Sequence, residues 1–235
     1  TMPPVKPGSD GQDQLFVHIH TDEGTQGLGL TRAVPGARQL IEGVLKELLV
    51  GKDPFNVEQI WNDMFWAVRD YGRKGIAFYA ISAVDIGIWD LKAKALGLPL
   101  YKLLGPYSDS VPLYGSGGLT QYTQNELVDE MTGMVERGIK RVKMKVGKDF
   151  GRSEREDLQR LYAVRKAVGD DVAVYVDANN GYYPKQAIYM AKEFEQFQVG
   201  WFEEPTLADD IPGLAEIRWA TTIPIALGAN EYTKY

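Results

Sequence analysis

Val172-Ala173-Val174-Tyr175-Val176-Asp177-Ala178-Asn179 is an apolar run of strand length that closes on two polar residues. Its β-branched composition is that of a core strand. With a side-chain period of two, Asp177 and Asn179 leave the strand on the same face. Further along stands a second such run, Val199-Gly200-Trp201-Phe202-Glu203-Glu204-Pro205, closed by a pair of acids. Before it stands a third, Val142-Lys143-Met144-Lys145-Val146-Gly147, in which Lys143 and Lys145 share a face.

Working outward, Val111–Leu113 and Ile223–Leu227 complete five apolar runs, separated by amphipathic stretches with helical caps. Thr123 with Glu126, and Ser153 with Glu156, have the capping-box spacing. Pro184 suits a first helical position, and Gly138 and Gly169 suit helix ends. Repeated strand–helix units imply an α/β fold with parallel strands, in an open sheet or a closed barrel. No dinucleotide-type glycine loop follows the first run. A complete eight-stranded (β/α) barrel of TIM type needs about 250 residues. Only residues 111–235 remain for it, so the spacing predicts an incomplete barrel of about five strands, with an apolar edge to be covered elsewhere.

Residues 1–108 read differently, as an α+β capping domain, with 109–235 as the barrel domain. Leu15–His20 and Thr25–Leu30 predict a hairpin turning at Asp22-Glu23-Gly24. Residues 37–50 carry apolar side chains at helical spacing and stop at Gly51. A second helix is expected from Pro54 past Phe65. A third, apolar nearly all round and so buried, is expected from Ile76 to Leu96, ended by Gly97 and Pro99. The opening Thr1-Met2-Pro3-Pro4-Val5-Lys6-Pro7 reads as a loop, so a first strand of this domain is expected to be missing.

A formal charge of −6 argues against nucleic acid or an anionic membrane as main partner. No apolar run reaches membrane-spanning length, and cytoplasmic is the default expectation. With no cysteine, disulfides and thiolate metal sites are excluded for this chain.

Chemistry in parallel strand–helix proteins sits at the carboxyl ends of the strands. Taken singly, an Asp after a strand is usually a turn residue, Glu-Glu-Pro is usually solvated, and Lys-x-Lys is usually a snorkelling pair. Their joint position changes the weighing. Asp177 and Glu203 are 203 − 177 = 26 residues apart, one repeat, which places them level on neighbouring strands. Two carboxylates facing two lysines make a site for a hard cation together with an anionic ligand. Oxygen-only ligation favours Mg²⁺, or Mn²⁺, over zinc.

The helix Ala80-Ile81-Ser82-Ala83-Val84-Asp85-Ile86-Gly87-Ile88-Trp89-Asp90-Leu91, followed by Pro99-Leu100 and Leu103-Leu104-Gly105, resembles a signature of the enolase superfamily, in its mandelate racemase and muconate-lactonizing branch. The spacing from Asp177-Ala178-Asn179 to Glu203-Glu204-Pro205 resembles the branch's second signature, and Lys143-Met144-Lys145 its base motif. The resemblance implies that Asp177 and Glu203 are metal ligands supported by Asn179 and Glu204. It implies that Lys145 is the general base, with Lys143 beside it. The implied chemistry is Mg²⁺-dependent removal of the proton next to a carboxylate, giving an enediolate; a Lys or His base working with Mg²⁺ is the established pattern of superfamily sites. A small carboxylate substrate and a homo-oligomer are expected. An acid-sugar dehydratase leads, with racemase, epimerase or cycloisomerase as the alternative. The capping domain is expected to set substrate choice through the loop before Leu15 and the segment from Thr31 to Arg38.

Two departures stand out. A third carboxylate ligand is usual in the branch, and another step of 26 from Glu203 lands on Ala229, which cannot ligate a metal. Glu231 shares its parity and is the doubtful substitute. The later strands that supply a second acid–base group in relatives are the other departure. Together they support a reading of a different class, a mutated or truncated scaffold without activity. His18 and His20 are expected to be ordinary strand residues.

Overall fold

The computed structural model describes residues 13–233. Expectations for the proline-rich opening, and for most of the loop before Leu15, lie outside the described residues. Residues 13–109 with 232–233 form one compact unit, and 110–231 form the other.

In the first unit β1 (Gln14–His20) and β2 (Gln26–Arg32) pair antiparallel, with Phe16 opposite Leu30 and His18 opposite Leu28. The turn passes through Gly24 at φ 84°, a left-handed conformation that glycine adopts without strain. The chain continues through α1 (Ala37–Leu40), a π-helical turn (Ile41–Leu45) and α2 (Lys46–Leu49). Helix α3 (Val57–Ala67) begins later than Pro54 suggests. The Asp53 carboxylate instead accepts the Phe55 N–H at 2.9 Å, holding that stretch in a turn. Helix α4 (Ile76–Ala95) buries ten of its residues, as its all-round apolarity requires, and α5 (Leu100–Leu103) follows. The hairpin lies directly on the backbone of α4. A Cβ on Gly29 would sit 1.7 Å from the Ala83 carbonyl oxygen, and one on Gly27 would sit 2.0 Å from that of Gly87. Only glycine permits that approach.

The second unit is a parallel sheet in the order β3-β4-β5-β6-β7, with helices in the crossovers. Strand β3 is Gly115–Ser116, not the expected Val111–Leu113, whose side chains are exposed. Helix α6 (Gln124–Glu136) starts on the expected capping box of Thr123 and Glu126. Strand β4 (Arg141–Lys145) is followed by the short α7 (Lys148–Gly151) and by α8 (Glu154–Val168). Ser153 does not cap α8, because its hydroxyl donates to Asp149 at 2.7 Å. The rest is β5 (Ala173–Asp177), α9 (Pro184–Glu195) with Pro184 in its first turn, β6 (Val199–Glu203), α10 (Ile211–Ala220) and β7 (Ile225–Ala226).

One face of this sheet is the core. Val142, Met144, Val174, Val176 and Phe202 are fully buried against Met131 of α6, Leu161 of α8, and Met190 and Phe194 of α9. The other face carries Lys143, Lys145, Tyr175, Asp177, Trp201 and Glu203. Each βαβ unit thus presents a polar inner face at its carboxyl end while the helices hold the strands from outside. Among the described residues, no helix is long and apolar enough to cross a membrane.

Candidate active site

Strand register brings the polar strand ends level. Lys145 stands opposite Asp177, and Asp177 opposite Glu203. The Lys143 ammonium lies 2.6 Å from Glu203 Oε1 and 3.3 Å from Asp177 Oδ2, and the Lys145 ammonium donates to Asp177 Oδ2. Asp177 Oδ1 accepts the Asn179 N–H at 2.9 Å. Lys143 is 5% exposed and Asp177 1%, so these charges persist only because each meets an opposite charge.

Electrostatics follows from that pairing. Burial pushes the Asp177 carboxyl up, but the Lys145 hydrogen bond and charge, the Asn179 N–H and Lys143 outweigh it and hold the group below the usual carboxylate range. Burial pushes Lys143 down, and Glu203 with Asp177 outweighs it, holding the ammonium above its ordinary value. Lys143 is therefore a fixed positive charge rather than an amine tuned toward neutrality.

Glu204, 2% exposed, faces a different set of partners. It accepts from the side-chain amides of Asn179 and Asn180 at 3.4 Å each and of Asn230 at 3.1 Å. Burial, then the neighbouring charge of Asp177, pushes its carboxyl up. Asn179, Asn180 and Glu204 all have positive φ, at 45°, 63° and 43°. Non-glycine residues held there are uncommon and gather at functional sites.

Position 229 follows the last strand. The residue opposite Glu203 on β7 is Ala226, so Ala229 lies three residues past it, in the exposed loop. Glu231 does not join the carboxylate pair; its Oε2 accepts the backbone N–H of Asn230 at 3.2 Å. Among the described residues, no three His, Asp or Glu side chains form a complete cation site. The donors present nevertheless fit a hard divalent ion. Asp177 and Glu203 offer oxygen alone, and they already hold a positive centre between them in the Lys143 ammonium. His18 and His20 lie on β1, their rings sharing the Gln26 side chain at 2.6 and 3.4 Å.

Several contributors escape a reading of the strands alone. Asp157 and Arg160 on α8 are buried, and they secure the loops at the sheet's carboxyl edge. Asp157 accepts from the Gly147 N–H at 2.9 Å and the Tyr182 hydroxyl at 2.7 Å, tying the loop after β4 to the one after β5. Arg160 donates to the carbonyls of Gly118, Leu119 and Tyr122 at 3.1, 2.9 and 2.7 Å, fixing the loop after β3. In sequence both look like the solvated face of a charged helix. The Asn179-Asn180-Gly181 run was the available signal for the loop around Glu204, since asparagine tolerates left-handed backbone.

Comparison with known proteins identifies the family. Residues 8–105 match the model of the mandelate racemase/muconate lactonizing enzyme N-terminal domain, and residues 126–235 match that of the enolase C-terminal domain-like family. L-talarate/galactarate dehydratase of Salmonella typhimurium is 39% identical over 218 residues, covering 91% of this chain and 54% of that protein. D-galactarolactone cycloisomerase of Agrobacterium fabrum is 33% identical, over 96% of this chain and 60% of its own length. The chain thus spans a little over half the length of these curated relatives. A crystal structure of a racemase from Streptomyces coelicolor with bound magnesium superposes with a TM-score of 0.88 at 35% identity, covering 92% of this chain and 61% of that one. Two domain matches in series, with relatives aligned along nearly the whole chain, place it in the mandelate racemase/muconate lactonizing enzyme family of the enolase superfamily.

Proposed function

We propose that this chain carries the base and the cation-binding carboxylates of an enzyme that removes the proton alpha to the carboxylate of a sugar acid, with dehydration as the overall reaction. The observation that supports it most is the level pairing of Lys145, Asp177 and Glu203 on three adjacent strands, with Lys143, two residues earlier on its strand, reaching both carboxylates. Asp177 and Glu203 would hold Mg²⁺, with Mn²⁺ as the alternative, and Glu204 with Asn179 would brace the loop behind them. When bound, the ion supplies positive charge opposite the charge that develops on the substrate carboxylate.

Lys145 takes the α-proton on its Nζ, and the C–H electron pair passes into the enediolate. Lys145 Nζ is held by the Asp177 carboxylate in this structure, and a cation that engaged Asp177 would release it toward the substrate. Lys143 stays charged and attracts the anionic end of the substrate. In a dehydratase the electron pair then expels a β-hydroxyl as water, which requires an acid on the leaving group. Cycloisomerisation is the second reading, favoured by the galactarolactone cycloisomerase of Agrobacterium fabrum and by the 3,6-anhydro-α-L-galactonate cycloisomerase of Streptomyces coelicolor, 36% identical. A homo-oligomeric assembly belongs to the same proposal.

The test is exchange of the α-proton in heavy water across a panel of aldaric and aldonic acids with Mg²⁺. Exchange that disappears in Lys145→Ala supports the proposal, and a 2-keto-3-deoxy acid as product selects dehydration over ring opening. A folded sample that exchanges nothing at saturating Mg²⁺ would instead support the inactive scaffold that Ala229 suggests.

A further inference from the structure

Glu203 has a second partner that the proton chemistry does not use. Its Oε1 accepts from Lys143, while its Oε2 accepts the indole N–H of Trp201 at 3.2 Å. Trp201 cannot easily turn away. Its ring lies flat on Tyr175, with centroids 3.6 Å apart and planes inclined by 2°, and Tyr114 meets it edge-on at 5.1 Å. The backbone is shaped for this stack. Pairing between β5 and β6 shifts by one residue between Val174 and Val176, a bulge that sets Trp201 beside Tyr175. Gly200 supplies the room, since a Cβ there would lie 2.5 Å from the Tyr175 ring.

We infer that Trp201 is a positioning residue that fixes which way the Glu203 carboxylate presents its charge. The inference rests on the proposed role of Glu203 as a cation ligand. An ammonium in the same place would orient the carboxylate but would also compete with an incoming metal ion. An indole N–H is neutral. It directs one oxygen and leaves the negative charge for the cation, and its aromatic support makes that direction rigid. Partners of this kind commonly tune metal affinity by about 10–100-fold.

The experiment is Mg²⁺ titration of the full chain by calorimetry, for the parent, Trp201→Phe and Glu203→Gln, with the ¹⁵N indole resonances followed in parallel. The chain has five tryptophans, so the Trp201 signal is the one absent from Trp201→Phe. Phenylalanine keeps the stack and removes the donor, and a Tyr175→Leu variant keeps the donor and loosens the stack. Expected are affinity at least about tenfold weaker in Trp201→Phe, a smaller loss in Tyr175→Leu, and a Trp201 indole signal that shifts on Mg²⁺ addition. Equal affinity in the parent and a folded Trp201→Phe overturns this inference and leaves the cation site standing. Should Trp201→Phe fail to fold, a parent in which none of the five indole signals moves with Mg²⁺, while calorimetry records binding, overturns it as well. No Mg²⁺ binding by the parent overturns the cation reading of Glu203, and this inference with it.

Discussion

Replacing Lys143 by methionine tests the electrostatic design of the site most directly. The side chain is 5% exposed, and its ammonium bridges Glu203 and Asp177 at 2.6 and 3.3 Å. Methionine retains the apolar stem and deletes the charge. Removing one partner from a buried ion pair costs about 3–5 kcal/mol. Two features reduce that here: Lys145 still pairs with Asp177, and the Glu203 side chain is 21% exposed. The expected loss is therefore about 2–3 kcal/mol in metal-free buffer. The freed carboxylates should bind Mg²⁺ more tightly, because no internal cation occupies them. Each tenfold gain in affinity adds about 1.4 kcal/mol of metal-dependent stabilisation at a fixed excess of Mg²⁺. Urea denaturation of parent and Lys143→Met, each with and without Mg²⁺, measures both effects. A variant as stable as the parent without metal, or one that gains no more from Mg²⁺ than the parent does, would refute the view that Lys143 acts as the site's resident cation.

Other perturbations follow from the same geometry. Asp177 has a folded-state pKa below its ordinary value of 3.8, so its contribution to stability is present above that pH and lost as pH falls through the depressed folded value; acid titration monitored by circular dichroism should show this step in the parent and not in Asp177→Asn. Asp157→Ala removes the buried acceptor of the Gly147 N–H and the Tyr182 hydroxyl and should destabilise the second unit by about 2 kcal/mol, whereas a change under about 0.5 kcal/mol in a urea melt would dismiss its role in tying those loops. Gly29→Ala drives a Cβ to 1.7 Å from a backbone oxygen of α4 and should cost about 3 kcal/mol or more, while Gly43→Ala, with open space around it, should cost nothing; equal melting of the two would mean that the hairpin does not depend on close approach to α4. Ala229→Glu adds a carboxylate to the loop after β7, whose Asn230 amide already reaches Glu204 at 3.1 Å, and should tighten Mg²⁺ binding; calorimetry showing no gain would remove that position from the site.

Much of this was legible beforehand because the deciding features are local. Apolar runs closed by Lys-x-Lys, Asp-x-Asn and Glu-Glu-Pro carry their own period of two, so face and strand end can be read without neighbours. The capping box at Thr123 and the apolar surface of α4 depend on short spacings for the same reason. Composition and periodicity along the chain determined the strand–helix order, the facing of the lysines and the level pairing of Asp177 with Glu203.

What only the tertiary structure decided involves registers and partners far apart in sequence. The bulge in β6 seats Trp201 on Tyr175, and Ala226 rather than Ala229 stands opposite Glu203. A constant step of 26 could not reveal this, because each crossover sets its own strand offset. Ser153 has the spacing of a cap, yet its hydroxyl is taken by Asp149, a competition that spacing does not encode. Asp157 and Arg160 carry no apolar signature and become structural only because neighbouring loops bring backbone groups that need buried partners. Glu203 meets Lys143 because β4 and β6 flank β5 in register, and it shares that contact with Trp201 of its own strand. Side-chain chemistry is written residue by residue, whereas which charge faces which is a property of the packed sheet.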